Sequence, residues 1–378
     1  MSGDVLVIGG GLAGAAAAIG LAEAGARVTL LERAHGPHDK VCGAFLSGEA
    51  VALLHRLGVG DALAAAPAID RLALEAGGRR ARADLPFTAR GLSRLVLDEA
   101  LLARAEALGV ALRRGERVEG IEAERTRRLV RLSGGRTIAA PHVVLATGKH
   151  DLRGHARPLA DADPMVGIKQ AFAPSAAGRE ALAGTIALAL FAEGYAGLQM
   201  VEGGRANLCL AVRESRLRAA GGPAGIVAAA IRESALLAEA LGDAEPVDRR
   251  PLAVARVPYG YVRRAALAEG VYAVGDQAGV IPSFCGDGMA IALHSGLGAA
   301  RAVATGERAS THAAGLAAEI GPQIGRARLM EILAAGPLAR HALVAILGRA
   351  PALTRAAARL TRVPERVWRG WLSPDAMR

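Results

Sequence analysis

The chain declares its architecture in Asp4-Val5-Leu6-Val7-Ile8, Gly9-Gly10-Gly11-Leu12-Ala13-Gly14, an alanine-rich run to Gly25, and Arg27-Val28-Thr29-Leu30-Leu31-Glu32. This reads as strand, glycine turn, helix and strand, with the G-x-G-x-x-G spacing of a dinucleotide-binding turn. Gly9 permits a tight turn after the strand, Gly11 lets a pyrophosphate approach the backbone, and Gly14 lets the helix pack on the strands. The first helical amides, near Leu12 and Ala13, then face phosphate. Glu32, followed by Arg33, closes the second strand, where a carboxylate accepts from both hydroxyls of an adenosine ribose and repels a 2′-phosphate. The pattern predicts FAD or NAD rather than NADP. Val5 to Ala22 carries no charge, but glycines interrupt it and no basic residue precedes Arg27, so neither a leader nor a membrane span is expected.

A chain of 378 residues can hold one large or two moderate domains around a real core. Cys42, Cys209 and Cys285 are scattered and show no C-x-x-C spacing, which argues against a disulfide framework and a metal site and points to the cytoplasm. His35 and His38 sit among Gly and Pro with no third ligand nearby. Aromatic residues make up 3% of the chain, too few for base stacking on nucleic acid. The net charge of +10 is unevenly placed: residues 326–378 hold ten Arg against Glu331, Glu365 and Asp375, so 10 − 3 = +7 lies in the tail. Such a tail is either a solvated helical face or a peripheral contact with an anionic membrane surface.

Further along, Ser47 begins a helix ended by Gly58, residues 68–87 form a hairpin turning at Gly77-Gly78, and Ser93 caps a helix running to Leu108. Arg94 opposes the dipole at that helix start, which points to an anion partner or to an ordinary surface arginine. Strands are expected near 117–123 and 128–132, and the apolar run Val143 to Leu145 ends in Ala146-Thr147-Gly148, small enough to pass close to a ligand. Met165–Phe172, Thr185–Phe191, Gly194–Val201 and Ala206–Val212 read as an inserted sheet with a turn at Gly203-Gly204, followed by a helix near 223–241. Val271 to Val274 is another apolar strand, ending in Gly275-Asp276; after Pro282-Ser283-Phe284-Cys285 the run Gly286-Asp287-Gly288-Met289 opens a helix to about Thr305. In that helix His294 is expected to be a satisfied core or surface residue. After Ser310 the chain reads as helices broken at Gly321-Pro322, Gly336-Pro337 and Ala350-Pro351.

The dinucleotide turn with Glu32, Ala146-Thr147-Gly148 and Gly275-Asp276 together resemble the FAD-binding fold of the para-hydroxybenzoate hydroxylase superfamily over roughly residues 1–305. Lys40-Val41-Cys42-Gly43, Gly194-Tyr195-Ala196-Gly197 and Pro282-x-x-Cys285-Gly286-Asp287-Gly288 look most like its geranylgeranyl reductase branch. The resemblance implies an α/β fold: a Rossmann-like FAD-binding domain over 1–160 and 262–308, an inserted antiparallel-sheet substrate domain over 161–261, and a helical C-terminal region over 309–378. It implies that Gly11, Glu32 and Arg94 hold the ADP half of FAD, that Asp276 holds the pyrophosphate–ribityl region, and that Gly286 to Met289 face the isoalloxazine with Cys42 and Gly43 on its substrate side. The chain departs from the family in Ala146-Thr147-Gly148-Lys149, where Gly-Ala-Asp-Gly is common. That puts tight NADPH binding in doubt and leaves the electron donor open between NAD(P)H and a redox partner protein. The sheet motif also lacks the family's Trp and Phe-Pro. Flavin halogenases are similar too, but this chain has no Trp before Trp368 and no Lys between Lys40 and Lys149.

Three functions follow. The first is reduction of a C=C bond in an apolar isoprenoid- or polyketide-like substrate, with Cys42 and Cys285 as candidate proton donors or flavin-tuning groups. The second is hydroxylation of an aromatic or polyketide substrate with O₂. The third is binding of flavin and ligand, or of a membrane, without turnover. A Glu32→Arg change is expected to weaken FAD retention strongly.

Overall fold

The computed structural model describes residues 4–159, 161–373 and 376. Its first layer begins with β1 (Asp4–Ile8), α1 (Leu12–Glu23) and β2 (Arg27–Glu32), where the glycine spacing and the apolar runs place them. It continues with α2 (Arg94–Ala107), β3 (Ala111–Arg114), β4 (His142–Leu145), β5 (Val271–Ala273) and α3 (Gly288–Thr305). The five strands lie in the order β5–β4–β1–β2–β3 and every pair is parallel. Parallel strands covered on both faces should read as continuous apolar runs, and β1 and β4 do.

Helix α1 is buried from Leu12 to Leu21, as a helix apolar all round must be. Its alanines allow α3 to approach backbone to backbone. A Cβ placed on Gly296 of α3 would stand 2.3 Å from the Ala13 carbonyl oxygen and 3.0 Å from the Ala16 Cβ. At the turn, Gly9 has φ +104°, and a Cβ on Gly14 would stand 1.9 Å from the Gly9 oxygen. Both glycines therefore do the packing work that the motif assigns them.

A small antiparallel sheet (118–123, 128–132 and 137–140) leads into β4. The second large sheet pairs Met165–Ala173, Arg205–Arg213, Gly194–Val201 and Thr185–Phe191 antiparallel, as expected. It also recruits the hairpin Ala68–Ala76/Arg79–Gly91 through a parallel seam between Thr185–Leu190 and Arg71–Ala76. The second layer thus contains a segment from the N-terminal stretch and is not purely antiparallel. A parallel seam between distant segments needs no local turn, so it leaves no mark in the sequence. The helix expected over 223–241 is two helices, Pro223–Glu233 and Ala235–Leu241; Ser234 breaks the run and its hydroxyl caps the second.

The tail is helical: α4 (Ala309–Ala335), α5 (Pro337–Arg349) and α6 (Pro351–Leu360). The breaks at Gly336-Pro337 and Ala350-Pro351 occur, and α4 and α5 meet at 114°. The break expected at Gly321-Pro322 does not. Helix α4 runs through Pro322 because Ile320, Gln323 and Ile324 around it are buried, and that packing outweighs the one hydrogen bond the proline removes. Helices α5 and α6 lie on the 68–91 hairpin.

The α1–α3 contact predicts a contrast between two glycines. Gly296→Ala should destabilise by about 2–4 kcal/mol, since an added methyl must push two backbones apart. Gly315→Ala, on an open face of α4 with nothing within 4 Å, should stabilise by about 0.5–1 kcal/mol. Urea denaturation of both variants checks this; equal midpoints would remove the close-approach argument.

Candidate functional site

One cavity of about 840 Å³ lies between the C-terminal edge of the first sheet, the second large sheet and the tail. Its walls bring together Gly11, Leu12, Ala13, Cys42, Gly43, Arg94, Ala146, Gly148, Gly275, Asp276, Cys285, Gly286, Gly288 and Met289, residues up to 278 positions apart in the chain (289 − 11). Ligands of open α/β sheets sit at this end of the strands.

At the polar end, α1 starts at Gly11 with no side-chain cap and no acid in its first turn, so its leading amides remain available to an anion. A Cβ on Gly11 would meet only Arg94 Nη2 at 3.1 Å and Lys40 Nζ at 3.8 Å. Arg94 is bidentate to Asp98 (2.7 and 2.9 Å) and Lys40 reaches the same carboxylate at 2.7 Å. That resolves the misplaced charge at the start of α2: Asp98, one turn on, fixes the guanidinium. Burial works against the charges of Arg94 and Asp98, but their pairing wins. Asp98 is held below the usual carboxylate range by Arg94 and Lys40, and Arg94 above its ordinary value by Asp98. Two cations share one acid, which leaves net positive charge over Gly11.

Glu32 is buried beneath this turn and lines no part of the cavity. Its oxygens accept from the Gly10 amide at 2.7 Å and the Ala34 amide at 2.9 Å. It therefore also holds the turn in shape, so Glu32→Arg would break the turn as well as any ribose contact. Arg33 points to solvent and meets His150 Nε2 at 2.8 Å. Thr147, off the cavity wall, donates to the His150 carbonyl at 2.6 Å. Both residues shape the loop around Gly148 instead of facing the cavity.

Deeper in, Lys149 Nζ pairs with Asp276 at 3.0 Å, and Arg157 donates to the Asp276 carbonyl at 2.7 Å. Burial opposes ionisation of Lys149 and of Asp276; the pair nevertheless holds Lys149 above and Asp276 below their ordinary ranges. Helix α3 begins at Gly288 with no side-chain cap, so a second set of free amides meets the cavity beside Gly286 (φ +68°). Asp287 does not face the cavity, contrary to expectation. It is fully buried, accepts from the Val363 amide at 2.9 Å, and faces Arg362 at 3.5 Å. Burial and then Glu49 push its carboxyl well above the usual range. Its work is to anchor the tail. Pro282 also stays off the wall, opening the turn that carries Cys285.

Of the thiols, Cys285 and Cys209 line the cavity and burial pushes each up to about 12. Both stay protonated at neutral pH, so neither is a ready nucleophile. Cys42-Gly43-Ala44 is held against the wall by two buried amides that local sequence could not single out. Asn207 donates to the carbonyls of Cys42 (3.2 Å) and Gly43 (3.0 Å), and Gln199 to that of Ala44 (2.8 Å). A second group missed from sequence is a hydroxyl chain on the wall: Tyr195 and Tyr259 meet Ser283 Oγ at 2.8 and 2.9 Å. Burial lifts Tyr259 to about 12, and raises Tyr195 well above its ordinary value. Beyond this point the wall is Leu72, Leu74, Ile186, Leu188 and Phe191 from the sheet, and Leu343 and Leu347 from α5.

The donor set suits a dinucleotide: two uncapped helix starts, a glycine with no side chain beneath two cations, and an apolar lobe beyond. Residues 2–169 match the family model described as FAD binding domain. The protein binds FAD. Residues Gly11, Arg94 and Lys40 suit its pyrophosphate, and the Gly286–Met289 helix start suits the ring. The chain is 34% identical over 154 residues to the menaquinone reductase of Mycobacterium tuberculosis, covering 39% of this chain and 38% of that one. It is 35% identical over 157 residues to the FAD-dependent monooxygenase OpS4 of Beauveria bassiana, covering 38% and 36%. These matches thus span well under half the length of the curated relatives. In fold the chain is similar to the flavin-dependent brominase Bmp2 (TM-score 0.80, 16% identity, 98% of this chain and 97% of that one). It is also similar to CmlS, a flavin-dependent halogenase (TM-score 0.72, 19% identity, 100% and 69%). The parallel sheet, the FAD-binding domain and the helical C-terminal region agree with the architecture the sequence implies.

Replacing Arg94 and Lys40 together by Ala should lower FAD retention by at least about 10-fold, because two charge-assisted contacts to phosphate are lost. Glu32→Gln, which keeps an acceptor for either amide, should weaken retention less and leave the melting temperature within a few degrees. The bound-flavin absorbance of desalted protein reads both; full occupancy in the Arg94/Lys40 variant would remove these residues from the phosphate site.

Proposed function

We propose that the protein is an FAD-dependent oxidoreductase that reduces a C=C bond in a long apolar substrate of isoprenoid or polyketide type. The observation that carries this reading is the division of one cavity into a cationic, amide-lined end and a lobe walled by Leu, Ile and Phe. A ligand seated in the lobe meets the cofactor end without leaving the cavity, and the sheet side of the lobe offers it only apolar side chains; Arg213, Arg328, Glu331 and Arg340, which also line the cavity, are held by Asp161, by one another or by the Ala335 carbonyl. The relatives named menaquinone reductase support reduction of an isoprenoid-bearing molecule.

FAD, when bound, supplies the hydride. The chain supplies position and a proton. The Asn207 and Gln199 clamps fix Cys42 to Ala44, so the wall beside the apolar lobe is rigid. Reduction of C=C needs a hydride on one carbon and a proton on the other. Tyr259, still protonated at neutral pH and oriented by its contact with Ser283, gives that proton and, being only partly buried, is reprotonated from solvent. Cys285, also neutral, lines the same cavity and serves as packing.

Oxygen insertion is the second reading, favoured by the relative named FAD-dependent monooxygenase. Halogenation is disfavoured, since the flavin halogenases this chain resembles carry a catalytic lysine and Lys149 is locked to Asp276.

Holoprotein reduced anaerobically with dithionite and mixed with a polyprenyl alcohol, which has no quinone to take the electrons, should yield a product heavier by two hydrogens. A product heavier by one oxygen, formed only in air, would replace this reading with the second. Tyr259→Phe should keep its FAD and lose about 10²-fold in turnover; unchanged turnover would remove the tyrosine from the proton path.

A further inference from the structure

The tail carries a surface that the redox reading does not use. Between Glu319 and Glu365 the only acid is Glu331, against seven arginines, and Glu331 is taken by Arg328. In the same segment large apolar side chains stand in the open: Leu338 is 84% exposed, Leu329 57%, Leu353 50% and Leu360 49%. A soluble face normally hides such a run. Three more, Leu333 (61% exposed), Ile332 (56%) and Ile346 (52%), are at once solvent-facing and part of the cavity wall. The apolar surface of α4–α6 is therefore continuous with the apolar lobe, and the cavity's mouth opens through it. The segment is held in place from both ends: Arg362 meets Asp287, and Trp371 donates to His294, which meets Glu319.

We propose that this face docks on an anionic phospholipid bilayer, with α5 and α6 lying in the interface and the cavity mouth turned toward the acyl chains. Exposed leucines beside arginines, with no free carboxylate, are the composition an interfacial helix needs. A second copy of the chain is a poor occupant, since a two-fold contact would set one arginine-rich face against another. No single helix among the described residues is long and apolar enough to cross a membrane; α4 and α5 qualify only as a pair bent by 114°, and α4 keeps Leu316, Ile320 and Ile324 buried in the fold, so the contact proposed is a surface one. Docking stands without the redox reading; the consequence that substrate enters sideways from the bilayer rests on it.

The test is co-sedimentation of FAD-loaded protein with vesicles of phosphatidylcholine alone or with phosphatidylglycerol added. Binding should require the anionic lipid and fall with salt. Arg355→Glu/Arg359→Glu and Leu338→Glu/Leu353→Glu should each lower vesicle partition by about tenfold or more, with bound flavin and dithionite reduction unchanged. None of these four residues lines the cavity. Failure to bind anionic vesicles, or equal binding to neutral ones, would overturn the proposal. So would a dimer seen by light scattering that the Leu338/Leu353 variant dissolves. If vesicle binding holds while no polyprenyl substrate is turned over, docking survives and the reductase reading fails.

Discussion

The first constraint on this molecule is steric. Gly9, Gly14 and Gly296 sit where a Cβ would collide with backbone oxygen, so α1 is pressed against both the sheet and α3. That contact has an electrostatic consequence. It fixes the starts of α1 and α3 on the same cavity, and neither start is capped by a side chain. Amides left free at two helix ends are unfavourable when buried without a partner. The fold thus carries a standing demand for anionic or hydrogen-bonding groups at one place, and FAD meets it.

The charges around the cavity follow the same logic. The cations beside the cofactor end are tied to acids: Arg94 and Lys40 to Asp98, Lys149 to Asp276, Lys169 to Asp39, Arg157 to Asp151. Tied cations hold their position while the cavity is empty, so an incoming phosphate meets a formed site. Over Gly11 two cations share a single acid, and positive charge is left over where a phosphate would sit. The sheet wall of Leu72, Leu74, Ile186, Leu188 and Phe191 is apolar by contrast, while Arg213 at a strand end and Arg340 on α5 also line the cavity. Polarity is segregated along one cavity, and that segregation orients a ligand with one polar end.

What the sequence revealed divides by the range of the interactions involved. The strand–glycine–helix–strand unit was legible because its signals lie within thirty residues: spacing, small residues, and a terminal acid. The hairpins at Gly77-Gly78 and Gly203-Gly204 were legible for the same reason. The parallel seam between 71–76 and 185–190 was not, since no local turn encodes it. Nor was the role of Asp287, which sits in a glycine-rich motif beside cavity residues yet is spent on Val363 and Arg362. The clamps from Asn207 and Gln199, and the tyrosine–serine chain, join segments from 24 to 165 positions apart through single polar side chains. A lone polar residue in an apolar strand looks the same in sequence whether it clamps a loop or faces solvent.

The tail is where local and global demands diverge most. Pro322 should end a helix and does not, because buried neighbours on either side hold α4 together. Leu338 and its neighbours should be covered and are not, although α5 rests on the hairpin along its other face. Burial therefore decides the path of the tail on its inner side, while its outer side remains apolar and basic. A chain that spends Asp287, Glu49 and Trp371 on pinning this segment in place fixes an uncovered apolar face in one orientation, around the opening of its own ligand cavity. Rigid anchoring is not needed for a solvated helix. It is needed where a surface must be presented at a fixed angle to something else, and where the cavity mouth must stay at the centre of that surface.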